Sequence, residues 1–149
     1  MSNSLVRRIV GTQAGWGPAV LRLVVGIIFA AHGAQKLFGW FGGYGLQGTG
    51  QWMDSIGLGP GYVMALLAGS AEFFGGLALI LGVLVRPAAI VLAFTMVVAI
   101  FSVHIHNGLF MDKNGYEFGL ALLVVALSLS ISGAGRASVD EFLQRAYKD

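Results

Sequence analysis

Four long apolar stretches constrain this chain more than any other feature. They run from about Pro18 to Phe38, Tyr62 to Val85, Pro87 to His106 and Gly115 to Ser132. A helix needs about 20 mostly apolar residues to cross a bilayer, within a range of about 17–25. Pro18, Pro60 and Pro87 stand at or just before the starts, where a missing N–H costs nothing. Helices of a soluble bundle would each need a polar face, and segments such as Ala88–Ile100 have none. The alternation of a transmembrane barrel is absent. The expected fold is therefore all-α: an integral membrane four-helix bundle, forming a single domain over residues 1–149.

Composition agrees. Of 149 residues, 56% are hydrophobic and 11% charged, against about 25% charged in soluble domains. A water-soluble enzyme, a nucleic-acid-binding domain and a disordered chain are all disfavoured, and a net charge of +2 is too slight for a nucleic-acid footprint. The absence of cysteine removes disulfides, thiolate metal sites and cysteine nucleophiles.

Basic residues near the span ends set the orientation. Arg7, Arg8, Arg86, Arg136, Arg145 and Lys148 fall on one side, Lys36 and Lys113 on the other. Six against two places both termini of a multi-pass protein in the cytoplasm. The first stretch contains Arg22 and is too long for a signal-peptide core, so it reads as a retained helix.

The long outer connection, residues 39–61, is rich in glycine and carries Trp40, Phe41, Tyr44 and Trp52, side chains that favour the membrane interface. Thr49 is placed to cap a short interfacial helix through Ile56, with Gly57 as its stop and Trp52, Met53 and Ile56 on one face. Gly43, Gly45 and Gly48 match a dinucleotide-binding spacing, but the strand that this motif requires is missing. At the other end, Ser138 and Glu141 form a capping box. Val139, Phe142, Leu143 and Ala146 follow at amphipathic spacing. Residues 138–147 are thus expected as an amphipathic helix on the cytoplasmic surface or against a partner.

Along the second span Ala68, Ala71, Gly75, Ala78 and Gly82 make a small-residue stripe that would admit a neighbouring backbone, and makes a homo-oligomer plausible. Glu72 lies one position round and is expected to face the bundle. An ionisable group in a membrane costs at least about 2.5–3.5 kcal/mol at a helix centre, so such groups usually face inward and have partners. His32, Lys36, Glu72, His104, His106 and Glu117 all fall in the outer half, beneath the aromatic loop. Arg22 and Arg86 lie near the cytoplasmic face and read as orientation anchors. His104 and His106 point apart unless the helix ends there. Two histidines and two carboxylates suit a metal by ligand type, but no tight metal spacing is present. A His–Glu pair equally suits binding and protonating a quinone.

In order along the chain, Leu21-Arg22, the run His32–Leu46 (HGAQKLFGWFGGYGL), Gly48-Thr49, Ala68–Gly76 (AGSAEFFGG), Val103-His104, Asn107-Gly108, Gly115–Glu117 and Gly133–Asp140 resemble the hallmark segments of the DoxX family. The resemblance covers roughly residues 18–140. It implies a four-helix bacterial inner-membrane protein. It also implies a link to redox systems, since the family takes its name from a subunit of a thiosulfate:quinone oxidoreductase. Other members associate with redox-stress enzymes or catechol degradation. The motif residues carried over are Arg22, His32, Gln35, Lys36, Glu72, His104, Asn107 and Glu117.

These readings combine into one expectation: a membrane subunit of a quinone-linked redox or redox-stress system, with a polar pocket in the outer half of the bundle. His32, Glu72, His104 and Glu117 are its expected acid–base groups, and Gln35, Lys36, Asn107 and Arg22 its substrate-binding groups. A quinone is the cofactor it suits better than a metal ion. No independent cofactor motif is present, so electrons would come from a redox partner. The alternatives are a small carrier or channel for a proton, metal ion or solute, and a scaffold docking a soluble enzyme.

Overall fold

The computed structural model describes residues 3–12 and 15–146. Lys148 and the last residue of the expected tail lie outside them. Seven α-helices are α1 (Asn3–Val10), α2 (Trp16–Phe38), α3 (Gly45–Ser55), α4 (Gly61–Leu81), α5 (Val85–Ala99), α6 (Glu117–Ser132) and α7 (Val139–Ala146). Three helical paths are long and apolar enough to cross a membrane: Trp16–Phe38, Gly61–Leu81 and Val85–Asn107. The fourth, α6, is apolar but only 16 residues long, about 24 Å at a rise of ~1.5 Å per residue.

The ends of these helices follow local chemistry. Helix α2 stops where Gly39 turns left-handed at φ 71°. Helix α4 stops four residues short of the expected Val85, because Gly82 turns left-handed at φ 69°. There the Gly82 N–H donates to the Leu79 carbonyl at 3.2 Å and the Val83 N–H to the Ala78 carbonyl at 3.0 Å, a Schellman closure. Pro87 then falls in the first turn of α5, where its missing N–H is harmless. The third span keeps its expected length but not its geometry. It widens into a π-helical turn over Ile100–His104 and tightens over Ile105–Asn107.

Helix α2 packs along α4 and α5 along α6, and the α4–α5 contact joins the two pairs; α2 touches α6 only sparsely. The buried face of α4 is Ala65, Gly69, Glu72, Gly76 and Leu79. The close-packed stripe therefore lies one position round from the expected one and includes Glu72 itself. The expected stripe turns toward other neighbours, with Gly75 facing Leu92 and Gly82 facing Ser138. A Cβ at Gly33 would collide with the backbone of Phe73, and one at Gly76 with the backbone of Ala30. Gly33→Ala and Gly76→Ala should each push α2 off α4, at a cost of about 1–3 kcal/mol. Gly17→Ala, which has open space, is the control. Thermal unfolding in detergent reads the effect, and a Gly33→Ala protein as stable as the control would refute the close approach.

Phe29, Leu79, Leu92 and Leu129 anchor the core with Val25, Met96 and Leu122. Val20, Val24, Ile27, Phe94 and Ile131 point outward. Apolar residues on both sides are what a helix needs between protein and lipid. Helix α3 begins at Gly45, four residues before the expected cap, so Thr49 is a buried residue within the helix and caps nothing. Met53 of the expected apolar face is buried, while Trp52 and Ile56 stay exposed. The Gly61 N–H donates to Asp54 Oδ1 at 2.7 Å, clamping α3 onto the start of α4.

Candidate functional site

The polar residues separate to the two ends of the bundle. At the loop end, Glu72 is 4% exposed on α4. Its Oε2 lies 2.6 Å from Nζ of Lys36, in the last turn of α2. A carboxylate buried among apolar helices needs such a partner, since an unpaired buried charge is very costly. His32 precedes Lys36 by four residues and shares its face of α2. It is exposed on the flank of the bundle, within Coulombic reach of both Lys36 and Glu72. Its ring stands 6.2 Å from that of Phe118 on α6, across the sparse α2–α6 seam. Gln35 donates from Nε2 to the Phe41 carbonyl at 3.3 Å, so its amide holds the turn after α2.

A second polar group closes the other loop at this end. His104 Nδ1 lies 2.9 Å from the Asn114 carbonyl, which also accepts from Asn107 Nδ2 at 3.1 Å. Glu117 Oε1 accepts the Met111 N–H at 2.7 Å. These bonds organise residues 103–117. Among the described residues no hydrogen bond joins this group to Lys36 or Glu72, and the His32–Phe118 contact is the link between them. His106 is exposed, beyond the π-turn that ends the regular helix. No three His, Asp or Glu residues among those described are grouped to hold a metal ion.

Arg22 lies at the opposite end, with the chain's termini, and is 1% exposed. Ten helical positions separate it from His32, about 15 Å. All five of its N–H donors reach backbone carbonyls: Nε to Ala134 at 2.9 Å, Nη1 to Leu79 at 2.9 Å and Ile80 at 2.7 Å, Nη2 to Arg136 at 3.3 Å and Ala137 at 2.6 Å. Leu79 and Ile80 lie in the last turn of α4, where carbonyls lack i+4 helical partners. Asp140 completes the arrangement. It is 1% exposed, and its carboxylate accepts the Leu84 and Val85 N–H groups at 2.8 and 2.9 Å, capping α5. Burial pushes the Asp140 carboxyl above its usual range, while these two N–H groups and then Arg22 and Arg86 pull it down. Leu84 and Ala137 take left-handed backbone at φ 50° and 53°, strain that persists where surrounding contacts over-determine a position.

The segments before α2 and after α6 are tied in as well. Arg86 donates to the Gly11 and Ser130 carbonyls at 2.7 and 3.1 Å, and the Arg136 N–H to the Gly15 carbonyl at 2.9 Å. Arg22 and Asp140 thus form a latch that joins α2, the α4–α5 turn and the chain after α6. Asp140 escaped the sequence reading. Its signal was the resemblance of Gly133–Asp140, together with an arginine inside a span that had no stated partner.

Fold and polar groups define an all-helical, multi-pass membrane protein with a part-buried ion pair at one end and an arginine latch at the other. The DoxX family model matches residues 17–105, and the chain belongs to that family. It is 32% identical over 133 residues to a Bacillus subtilis protein named "Putative oxidoreductase CatD", covering 89% of this chain and 91% of the relative. It is 31% identical over 134 residues to inner membrane protein YqjF of Escherichia coli, covering 88% and 95%. An uncharacterized Haemophilus influenzae protein is 36% identical over 128 residues, covering 82% and 87%. No solved structure matches. Family, apolar helices and the inner-membrane relative together make this an inner-membrane protein.

Proposed function

We propose that this protein is a membrane subunit of a quinone-linked redox system and that the quinone ring is held at the loop end of the bundle. Helix α6 would complete a fourth crossing, with both termini in the cytoplasm, as the six-to-two distribution of basic residues favours. The observation that carries the reading is the part-buried Lys36–Glu72 pair with His32 beside it on the flank of α2. A histidine exposed there faces lipid, so it is reached by a molecule dissolved in the bilayer.

Entry along the α2–α6 seam brings a ring oxygen to His32, and Lys36 offers a second hydrogen bond. His32 then gives or takes the proton, and Glu72 holds the balancing charge. His104, Asn107 and Glu117 form the far wall, and Gln35 sets the turn above it. Reducing a quinone to its quinol takes two electrons and two protons, and His32 delivers the protons one at a time, reloading from water at the loop end. The electrons come from a partner dehydrogenase, because the chain has no carrier motif of its own. The name of the Bacillus subtilis relative supports a redox setting.

Native mass spectrometry in mild detergent with added isoprenoid quinone should show a quinone adduct on the wild-type protein. His32→Ala should lose it while folding normally. Equal adducts on both would sink the proposal. Solute-dependent flux in liposomes without a redox partner would instead favour a carrier built on the same His–Glu pair.

A further inference from the structure

The connection between α2 and α3 is built as a flap. Its ends meet, since a Cβ on Gly39 would stand 3.4 Å from the Gly45 nitrogen. Both glycines are left-handed, at φ 71° and 67°, and glycine moves between left- and right-handed backbone without a steric barrier. Residues 40–44 project beyond this neck. Phe41 is itself held left-handed at φ 54°, a strain of the kind that collects at clamps and switches. No residue from 39 to 45 is buried, and a segment with so few buried contacts opens readily. What seats the flap is Gln35. Gly43 packs against the Gln35 backbone, where a Cβ would collide, and Gln35 Nε2 donates to the Phe41 carbonyl at 3.3 Å. The Trp40 ring, 5.0 Å from that of Phe38, is a further hold. Gln35 stands three residues beyond His32, about 4.5 Å further along the helix, and its side chain reaches the His32 ring. One amide therefore touches the proton-transfer group on one side and the flap on the other.

We propose, building on the quinone reading, that residues 39–45 gate the return of protons to His32 and that Gln35 is the positioning residue that couples the two. Seated, the flap stands over the last turn of α2, between His32 and the water beyond the loop end. Once His32 has given a proton to a quinone oxygen, its neutral ring offers one N–H instead of two. The Gln35 amide then loses its hold on the ring and turns, the Phe41 carbonyl is released, and the flap lifts at Gly39 and Gly45. A proton returns from water to the ring nitrogen, and Gln35 seats the flap again.

The chain has no cysteine, so a pair of nitroxide labels can be placed cleanly. Tyr44→Cys on the flap and Leu127→Cys on α6 are both exposed positions. Double electron–electron resonance on the full chain in mild detergent, without quinone, should give a major seated distance and a minor lifted one. Gln35→Leu should raise the ratio of lifted to seated flap about fivefold, the worth of one neutral hydrogen bond. His32→Ala leaves the Gln35–Phe41 bond in place and should still shift the ratio in the same direction, which an amide that merely holds a turn would not do. Distances unchanged in Gln35→Leu would overturn the latch. Distances that move in Gln35→Leu but not in His32→Ala would overturn the coupling. Because no quinone is present, the flap fails or stands here, and the quinone site fails or stands on the adduct of the wild-type protein.

Discussion

Arg22→Ala should cost this protein more stability than any other single substitution considered. The side chain fills five carbonyl acceptors from two segments far apart in sequence, at 1% exposure. Removing it takes a hydrogen bond from each of those carbonyls and leaves the buried Asp140 with Arg86 as its neighbouring cation. Removing one partner of a buried charged network typically costs about 3–5 kcal/mol, much of a membrane bundle's margin. The expected result is a low yield of monodisperse protein and early thermal unfolding in detergent. Arg22→Lys should recover only part of the loss, because an ammonium has three donors and no planar fork. Unfolding of Arg22→Ala close to that of wild type would show that the latch does not hold the bundle. Arg22→Lys matching wild type would show that charge, rather than the forked geometry, matters.

The second large effect is expected at Lys36 and Glu72, where a single and a double substitution should behave oppositely. Lys36→Met alone leaves Glu72 buried without its cation and should destabilise by roughly 3–5 kcal/mol unless the carboxyl takes up a proton. Lys36→Met with Glu72→Leu replaces the pair by apolar groups of similar size. Such replacements are often neutral or stabilising, so the double variant should unfold close to wild type. The same double variant should bind no quinone, which separates a functional pair from a structural one. A double variant that is both stable and fully quinone-competent would make the pair a packing device and move the site elsewhere.

The sequence made some of this legible and hid the rest for identifiable reasons. The three paths long and apolar enough to cross a membrane were readable because lipid imposes a length and an apolarity on each helix independently, with no information needed from its neighbours. Lys36 and Glu72 were each readable as groups in need of a partner for a similar reason, since each sits in an apolar stretch and neither can stand alone. The face of α4 was read one position out. Small residues lie on both flanks of that helix, and only the position of α2 against Gly69 and Gly76 decides which flank is buried. Whether all the polar residues meet at one site was not legible in the sequence. Depth along a helix is set by sequence, but the rotation of each helix is set by packing. His104, Asn107 and Glu117 are therefore drawn to their own loop, not to Glu72.

Helix α7 shows the same division most clearly. Its sequence sets an amphipathic period and a cap at Ser138, whose Oγ accepts the Glu141 N–H at 3.1 Å. The period alone places the helix on the cytoplasmic surface or against a partner, and does not say which residue it buries. The folded chain buries Asp140, because the start of α5 offers two unpaired N–H groups and Arg22 a neighbouring positive charge. Sequence by itself determined that this is an apolar helical chain, where its spans fall and which charged residues need partners. Tertiary structure alone decided which partners they found, since a hydrogen bond between residues more than a hundred positions apart exists only once the helices have packed.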